Sequence, residues 1–264
     1  PAPNPTLFDI LRKNKIKYMA YEWPLRTTNH LTMLNPFYRS DKSITNYVIR
    51  NIKKKDFIFA HTVKLDNMMH HEGVDSEKVI THLKTIDEDI KRLYNEISKY
   101  NYTLIICSDH GMVPITETLD VMQYVGKEDI AFPDSTSVRI WTKNPKELAQ
   151  KLSTLPGKVY TKETMKDIPL RYDRPYTSDV LFIANAGIQI LPNYFDGNNR
   201  VKAMHGYNDK TKDLHAFFLI KSTNKLKKVK KEMTLVDICP TILESLNIKQ
   251  PKNWKGDSTL DTHR

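Results

Sequence analysis

Apolar residues recur at four-three spacing over one long stretch, Val79, Leu83, Ile86, Ile90, Leu93 and Ile97, which predicts an amphipathic helix capped by Ser76. Two short apolar runs, Phe57–Ala60 and Thr103–Cys107, flank it and read as buried strands. Strand, helix and strand in that order form a βαβ unit, so a parallel sheet is the expected architecture. Upstream, Thr6 caps a short helix carrying Phe8 and Leu11, residues 16–21 read as a strand, and residues 42–52 as a polar helix. The apolar runs return at 179–184 and 216–220 as further core strands, and a last helix covers 235–246 with Pro240 in its first turn. Between Val113 and Thr177 the pattern loosens, with a strand at Ser137–Trp141, a helix at Pro145–Leu152 and a strand at 158–160. Residues 1–112 and 178–264 are therefore expected to form one α/β core, and 113–177 a small inserted α+β region or cap.

The chain has 264 residues, 39% hydrophobic and 27% charged, which supports a sizeable core and excludes a disordered polymer. It contains no repeat of fixed period, so solenoids and coiled coils drop out. No apolar run approaches the roughly 20 residues of a bilayer span, so no membrane segment is expected. Lys and Arg outnumber Asp and Glu by 41 to 31, which favours an anionic partner in general without separating nucleic acid from phosphorylated metabolites or simple solubility. Nucleic acid fits less well, because no module combines aromatic with basic positions. The basic run from Lys225 to Lys231 reads as a solvated loop, with anion binding as its alternative. Cys107 and Cys239 lie in apolar stretches, read as buried free thiols and suggest a reducing, cytoplasmic setting.

Three clusters hold the residue types that bind metals. Asp66, His70, His71 and Glu72 follow the run that starts at Phe57, Ser108-Asp109-His110-Gly111-Met112 follows Cys107, and Met204-His205-Gly206-Tyr207 follows a turn-rich segment. Loops after the carboxyl ends of parallel strands converge on one edge, which gathers Asp66, His70, Asp109 and His110. Carboxylate oxygen and imidazole nitrogen suit Zn²⁺, or Mn²⁺ in a harder and more open site. Five such ligands with His205 exceed what one tetrahedral catalytic metal takes from protein, so two divalent ions are expected. Glu72 is a candidate support for His70, and Tyr207 and Asn208 are candidate substrate contacts.

The motifs Asp-x-x-x-His-x-x-Gly at Asp66, Ser-Asp-His-Gly-Met at Ser108 and His-Gly-Tyr at His205 resemble those of the alkaline phosphatase superfamily, in its type I phosphodiesterase/nucleotide pyrophosphatase branch. The segment from Val236 to Leu243, with the later Gly256, resembles that superfamily's C-terminal helix and glycine turn. The resemblance implies an alkaline-phosphatase-like three-layer sandwich with a mostly parallel central sheet. It implies Asp66, His70 and His205 on one metal, Asp109 and His110 on the other, and hydrolysis of a phosphodiester or nucleotide pyrophosphate through a Thr or Ser phospho-enzyme. One further Asp ligand, in an Asp-Gly pair, and the nucleophile are expected upstream of this chain, in a missing N-terminal segment of the same protein. This portion alone is then expected to be inactive. Thr27 and Thr28 are the internal candidates for the nucleophile. The alternatives are an inactive metal- or phosphate-binding relative, or another superfamily activity: phosphomonoesterase, phosphonoacetate hydrolase or phosphoglycerate mutase.

Overall fold

The computed structural model describes residues 5–21, 32–33, 40–167, 176–208, 210–222 and 232–260. Thr27, Thr28 and the whole run from Lys225 to Lys231 lie outside the described residues. In chain order the elements are α1 (Leu7–Lys13), β1 (Tyr18–Tyr21), β2 (Thr32–Met33), α2 (Asp41–Asn51), β3 (Phe57–Ala60), α3 (Lys64–Glu72), α4 (Glu77–Ile97) and β4 (Thr103–Cys107). Then come β5 (Val113–Pro114), β6 (Glu117–Leu119), β7 (Ile130–Pro133), β8 (Ser137–Trp141), α5 (Pro145–Leu152), β9 (Gly157–Thr161), β10 (Val180–Ala184) and β11 (Ile188–Ile190). The chain closes with β12 (Ala203–Met204), β13 (Phe218–Ser222) and α6 (Ile238–Ser245). Two compact units result: Pro1–Lys64 with Thr81–Asp109 and Phe218–Arg264, and Leu65–Ile80 with His110–Phe217.

In the first unit, Thr6 and Asp9 form a reciprocal capping box that satisfies two amides at the start of α1. This fixes Leu7, Phe8, Ile10 and Leu11 against Ala20, Ile242 and Leu243 in one buried cluster. β1 pairs in parallel with β2 and β3, in register Tyr18 to Phe57 and Ala20 to Thr32. β4 pairs antiparallel with β13, Cys107 opposite Phe218. The βαβ expectation of a parallel partner for β4 is thus corrected among the described ladders, because an apolar run reports burial and not direction. β4 has β13 as its one partner strand there, and Cys107 is exposed rather than buried, while Cys239 is half-buried. Pro240 does occupy the first turn of α6.

The second unit is built on an antiparallel sheet in the order β7-β8-β10-β9. Its central strand, β10, is the run the sequence reads as a returning core strand; apolar groups on both of its faces produce that signal. Val180, Phe182 and Ala184 pack with Val138, Ile140, Leu148 and Leu152 on one face, and Leu181 packs with Tyr160 and Met165 on the other. α5 begins at Pro145, whose missing amide hydrogen is harmless in a first turn. Two short ladders complete the unit, β6 parallel to β11 and β5 antiparallel to β12. Among the described residues no helix is long and apolar enough to cross a membrane.

Candidate metal centre

Asp66 and His70 lie on α3, not on the loop that the strand-end reading expects. Their spacing of four brings both side chains to one face of the helix. The last turn of α3 is tied to β12 twice: the carbonyl of His70 accepts from the Lys202 amide at 2.8 Å, and its Nδ1 donates to the Ala203 carbonyl at 2.8 Å. β12 is in turn held by β5, with Met204 opposite Val113. Antiparallel register brings the residue after Met204 towards those before Val113, and so His205 meets His110. Their rings stack with centroids 3.7 Å apart and planes 15° apart, and the His70 ring lies 5.3 Å from that of His205.

Two glycines make this approach possible. Gly111 has its Cα against the Asp213 carbonyl, where any Cβ would overlap backbone. Gly206 adopts φ +92°, and a Cβ there would stand 2.9 Å from Oγ1 of Thr136. That same hydroxyl donates to the Gly206 carbonyl at 3.0 Å, which fixes the turn directly after His205.

Ligand atoms of Asp66, His110 and His205 all lie within 4.8 Å of one another. Oδ1 of Asp66 is shielded from solvent and has no hydrogen-bond partner. Nε2 of His70 stands 3.4 Å from it and Nε2 of His205 3.8 Å. Two ligands about 2.1 Å from one tetrahedral ion are separated by about 3.4 Å, so these spacings match donors arranged around a common centre. Nδ1 of His70 and of His110 each face a carbonyl, Ala203 and Gly111, which assigns the proton to Nδ1 and leaves Nε2 as the ligand nitrogen. The orphaned carboxylate oxygen and the imidazole set therefore fit a divalent metal of the zinc class.

The electrostatics agree with this chemistry. His70 beside it holds the Asp66 carboxyl below the usual carboxylate range, with further help from His205 and His110. Asp66 in turn raises the pKa of His70, against the opposing effect of burial. Glu72 is committed to Lys78, 2.7 Å away, rather than to His70. Tyr207 is buried, and its hydroxyl donates to the Ile188 carbonyl at 3.1 Å; burial pushes the phenol pKa up. The side-chain oxygen of Asn208 accepts from the Lys210 amide at 3.0 Å. Asp109 is exposed at the end of the first unit's β4, directly before His110 in the chain.

The cluster borders a cavity of about 570 Å³ that His70, His205, Tyr207 and Asn208 help to line. Its remaining wall includes Thr136 and Arg139, which sequence reasoning missed. Neither sits in a motif: the pairing of β8 with β10 brings Arg139 to the cavity, and the bond from the Thr136 hydroxyl to the Gly206 carbonyl holds Thr136 there.

No match was found among curated protein sequences. Solved structures do match. Human ectonucleotide pyrophosphatase/phosphodiesterase 5 is 24% identical, with 93% of this chain and 71% of that chain covered at a TM-score of 0.74. An inactive form of the murine protein in complex with AMP is 20% identical over 92% of this chain and 71% of that one, at a TM-score of 0.72. Phosphonoacetate hydrolase from Sinorhizobium meliloti 1021 in complex with phosphonoacetate is 11% identical over 82% and 68%, at 0.59. These likenesses establish the α/β fold of the alkaline-phosphatase-like kind. The family model for type I phosphodiesterase/nucleotide pyrophosphatase matches residues 11–208. The chain belongs to the type I phosphodiesterase/nucleotide pyrophosphatase family.

Proposed function

We propose that this chain carries the metal centre of a phosphodiesterase that hydrolyses a small phosphodiester or a nucleotide pyrophosphate bond. The observation that supports it most is the buried, unpartnered Oδ1 of Asp66 with imidazole nitrogens of His70 and His205 at 3.4 and 3.8 Å. Asp66, His70 and His205 would hold one zinc ion, and Asp109 and His110 would serve a second. When bound, such ions polarise a phosphoryl oxygen and lower the pKa of a coordinated hydroxyl or water.

The chain's own groups supply position and charge. The tether of His70 to Lys202 and Ala203 fixes the helix end and the ring together, so Nε2 is presented without a search over rotamers. The Asp66 carboxylate remains ionised and offsets the positive charge of the centre. In the reaction a Thr or Ser hydroxyl attacks phosphorus, its new P–O bond forming as the bond to the leaving oxygen breaks. Water then attacks the same phosphorus, breaks the enzyme's ester and releases the phosphate product. The murine neighbour that binds AMP is inactive as a threonine-to-alanine form, which supports both a hydroxyl nucleophile and a nucleotide substrate. Thr27 and Thr28 are the candidates in this chain for that hydroxyl.

A second reading rests on the grouping of Asp66, His110 and His205 as one three-donor cluster. A protein that held a single metal there would bind phosphate without turning it over. Metal analysis with a chromogenic phosphodiester separates the two. About two zinc ions per chain with hydrolysis, abolished by His205→Ala while the circular dichroism spectrum stays unchanged, supports the enzyme. One ion and no turnover, even with the expected upstream segment restored, supports the binding protein.

A further inference from the structure

β11 carries a glutamine between two core isoleucines. Ile188 and Ile190 pack into the apolar cluster of the second unit, and alternation along the strand turns Gln189 to the other face, where it is wholly buried. Both polar atoms of its amide are engaged. Nε2 donates to Oδ2 of Asp196 at 3.0 Å and to the Asn199 carbonyl at 3.3 Å, and Oε1 accepts from the Val201 amide at 3.0 Å. Oδ2 of Asp196 is a hub, because it also accepts from Oγ of Ser135 at 2.8 Å and from Nδ2 of Asn193 at 3.2 Å. An apolar side chain of the same length would fill the space equally well, so what the amide adds is the direction of its bonds.

Those bonds run toward the metal centre. Val201 leads directly into β12, where the Lys202 amide and the Ala203 carbonyl hold the backbone and the ring of His70, each at 2.8 Å. The Lys202 carbonyl accepts from the Ile115 amide at 2.9 Å, and Nη2 of Arg200 donates to the carbonyls of Ile115 and Thr116 at 3.0 and 2.8 Å. The segment 196–203 is thus fixed on several sides before the chain reaches His205.

We propose that Gln189 and Asp196 are positioning residues of the metal centre: they set the path of residues 196–203, so that His70 presents Nε2, and His205 follows, at the spacings a common ion needs. This rests on the reading of Asp66, His70 and His205 as metal ligands and names what holds them in register. Hydrogen-bonded partners behind a metal ligand commonly carry about 10- to 100-fold in affinity. Here the partner of His70 is a backbone carbonyl, whose place depends on the segment that carries it. Substitution cannot remove that carbonyl, but it can remove the amide of Gln189.

The test is titration of the 264-residue chain with zinc(II), in competition with a chromogenic chelator, and with cobalt(II), whose visible absorption reports coordination geometry. Gln189→Met keeps the length of the side chain and removes its bonds. It should lower zinc affinity about tenfold and change the cobalt spectrum at temperatures where the chain is folded. Ser135→Ala removes one bond to Asp196 with little volume, and should lower affinity about threefold. Leu148→Ala, in the apolar core of the same unit, is the control for stability alone: it should lower the melting temperature at least as far and leave zinc affinity and the cobalt spectrum unchanged. Unaltered affinity and spectrum in both hub variants would overturn the inference and leave the metal-centre reading standing, and so would an equal loss of affinity in Leu148→Ala. Should Gln189→Met fail to fold, Ser135→Ala decides by the same criteria. An unsubstituted chain that binds neither ion removes the metal-centre reading, and this inference with it.

Discussion

Each compact unit contains an aspartate–histidine pair brought together by helices, and the two pairs have different uses. In the first unit Oδ2 of Asp41, on α2, meets Nε2 of His82, on α4, at 2.8 Å, with side chains 9% and 11% exposed. In the second, Asp66 and His70 stand 3.4 Å apart on one helix, with 41% and 16% exposure, and two further imidazoles and a cavity adjoin them. The tighter and more buried pair reads as packing; the looser one belongs to the candidate metal centre. A carboxylate beside an imidazole is therefore not a metal site by its own geometry. Convergence of a third and fourth donor, with room for a ligand, makes the difference.

Removing each carboxylate is the strongest way to break this comparison. Asp66→Ala should lower zinc affinity by about a hundredfold or more and abolish phosphodiester hydrolysis. In the presence of a chelator it should lower the melting temperature only modestly, through loss of the attraction between this part-exposed carboxylate and His70. Asp41→Ala should behave in the opposite way, with zinc stoichiometry unchanged and stability reduced by about 3 kcal/mol, since a buried histidine loses its partner. Denaturant titration beside zinc-binding isotherms reads both. Loss of zinc in the Asp41 variant would erase the distinction.

Acidity sharpens the same contrast. In the metal-free protein the raised pKa of His70 contributes stability below its ordinary 6.5, lost as pH rises through the raised value. The lowered pKa of Asp66 contributes stability above 3.8, lost as pH falls through the lowered value. The pair alone is thus most stabilising between those limits. Zinc must displace the His70 proton, so its affinity should fall about tenfold for each pH unit below the raised value. The gain in Tm on adding zinc should grow from pH 5.5 to pH 8, and a flat profile would remove His70 from the ligand set.

A smaller effect is expected at the turn after His205. Gly206→Ala combines a positive φ with a contact of 2.9 Å to Thr136, whereas Gly197→Ala has φ +61° and nothing within 4 Å. The first should cost about 1–2 kcal/mol and weaken zinc binding several-fold, and the second about 1 kcal/mol with zinc binding unaltered. Equal effects would show that the Thr136 contact does not position His205.

Several elements were legible as periodicity and punctuation. The βαβ flanks, α5 from Pro145 and the N-cap at Thr6 follow from local rules that tertiary contacts do not override. Direction was not legible: Val180–Ala184 carries apolar groups to both faces, and such a run looks alike in a parallel and an antiparallel sheet. The donor residues could be named from their clusters, but the helix beneath Asp66 and His70 could not, because Met68, Met69 and three charged or imidazole neighbours give little periodic signal. The cavity wall was illegible for a different reason. Arg139, Leu181 and Tyr160 meet only through strand register, and nothing local to any of them announces it.

The donors at positions 66, 70, 110 and 205 come from three distant stretches of one chain. An ion that joins them acts as a removable cross-link, closing loops of many tens of residues on both sides of His110 and restricting the unfolded ensemble as a disulfide does. On the proposed reading, metal loading would then set the lifetime of the second unit as well as its chemistry, and a chelator would promote its unfolding.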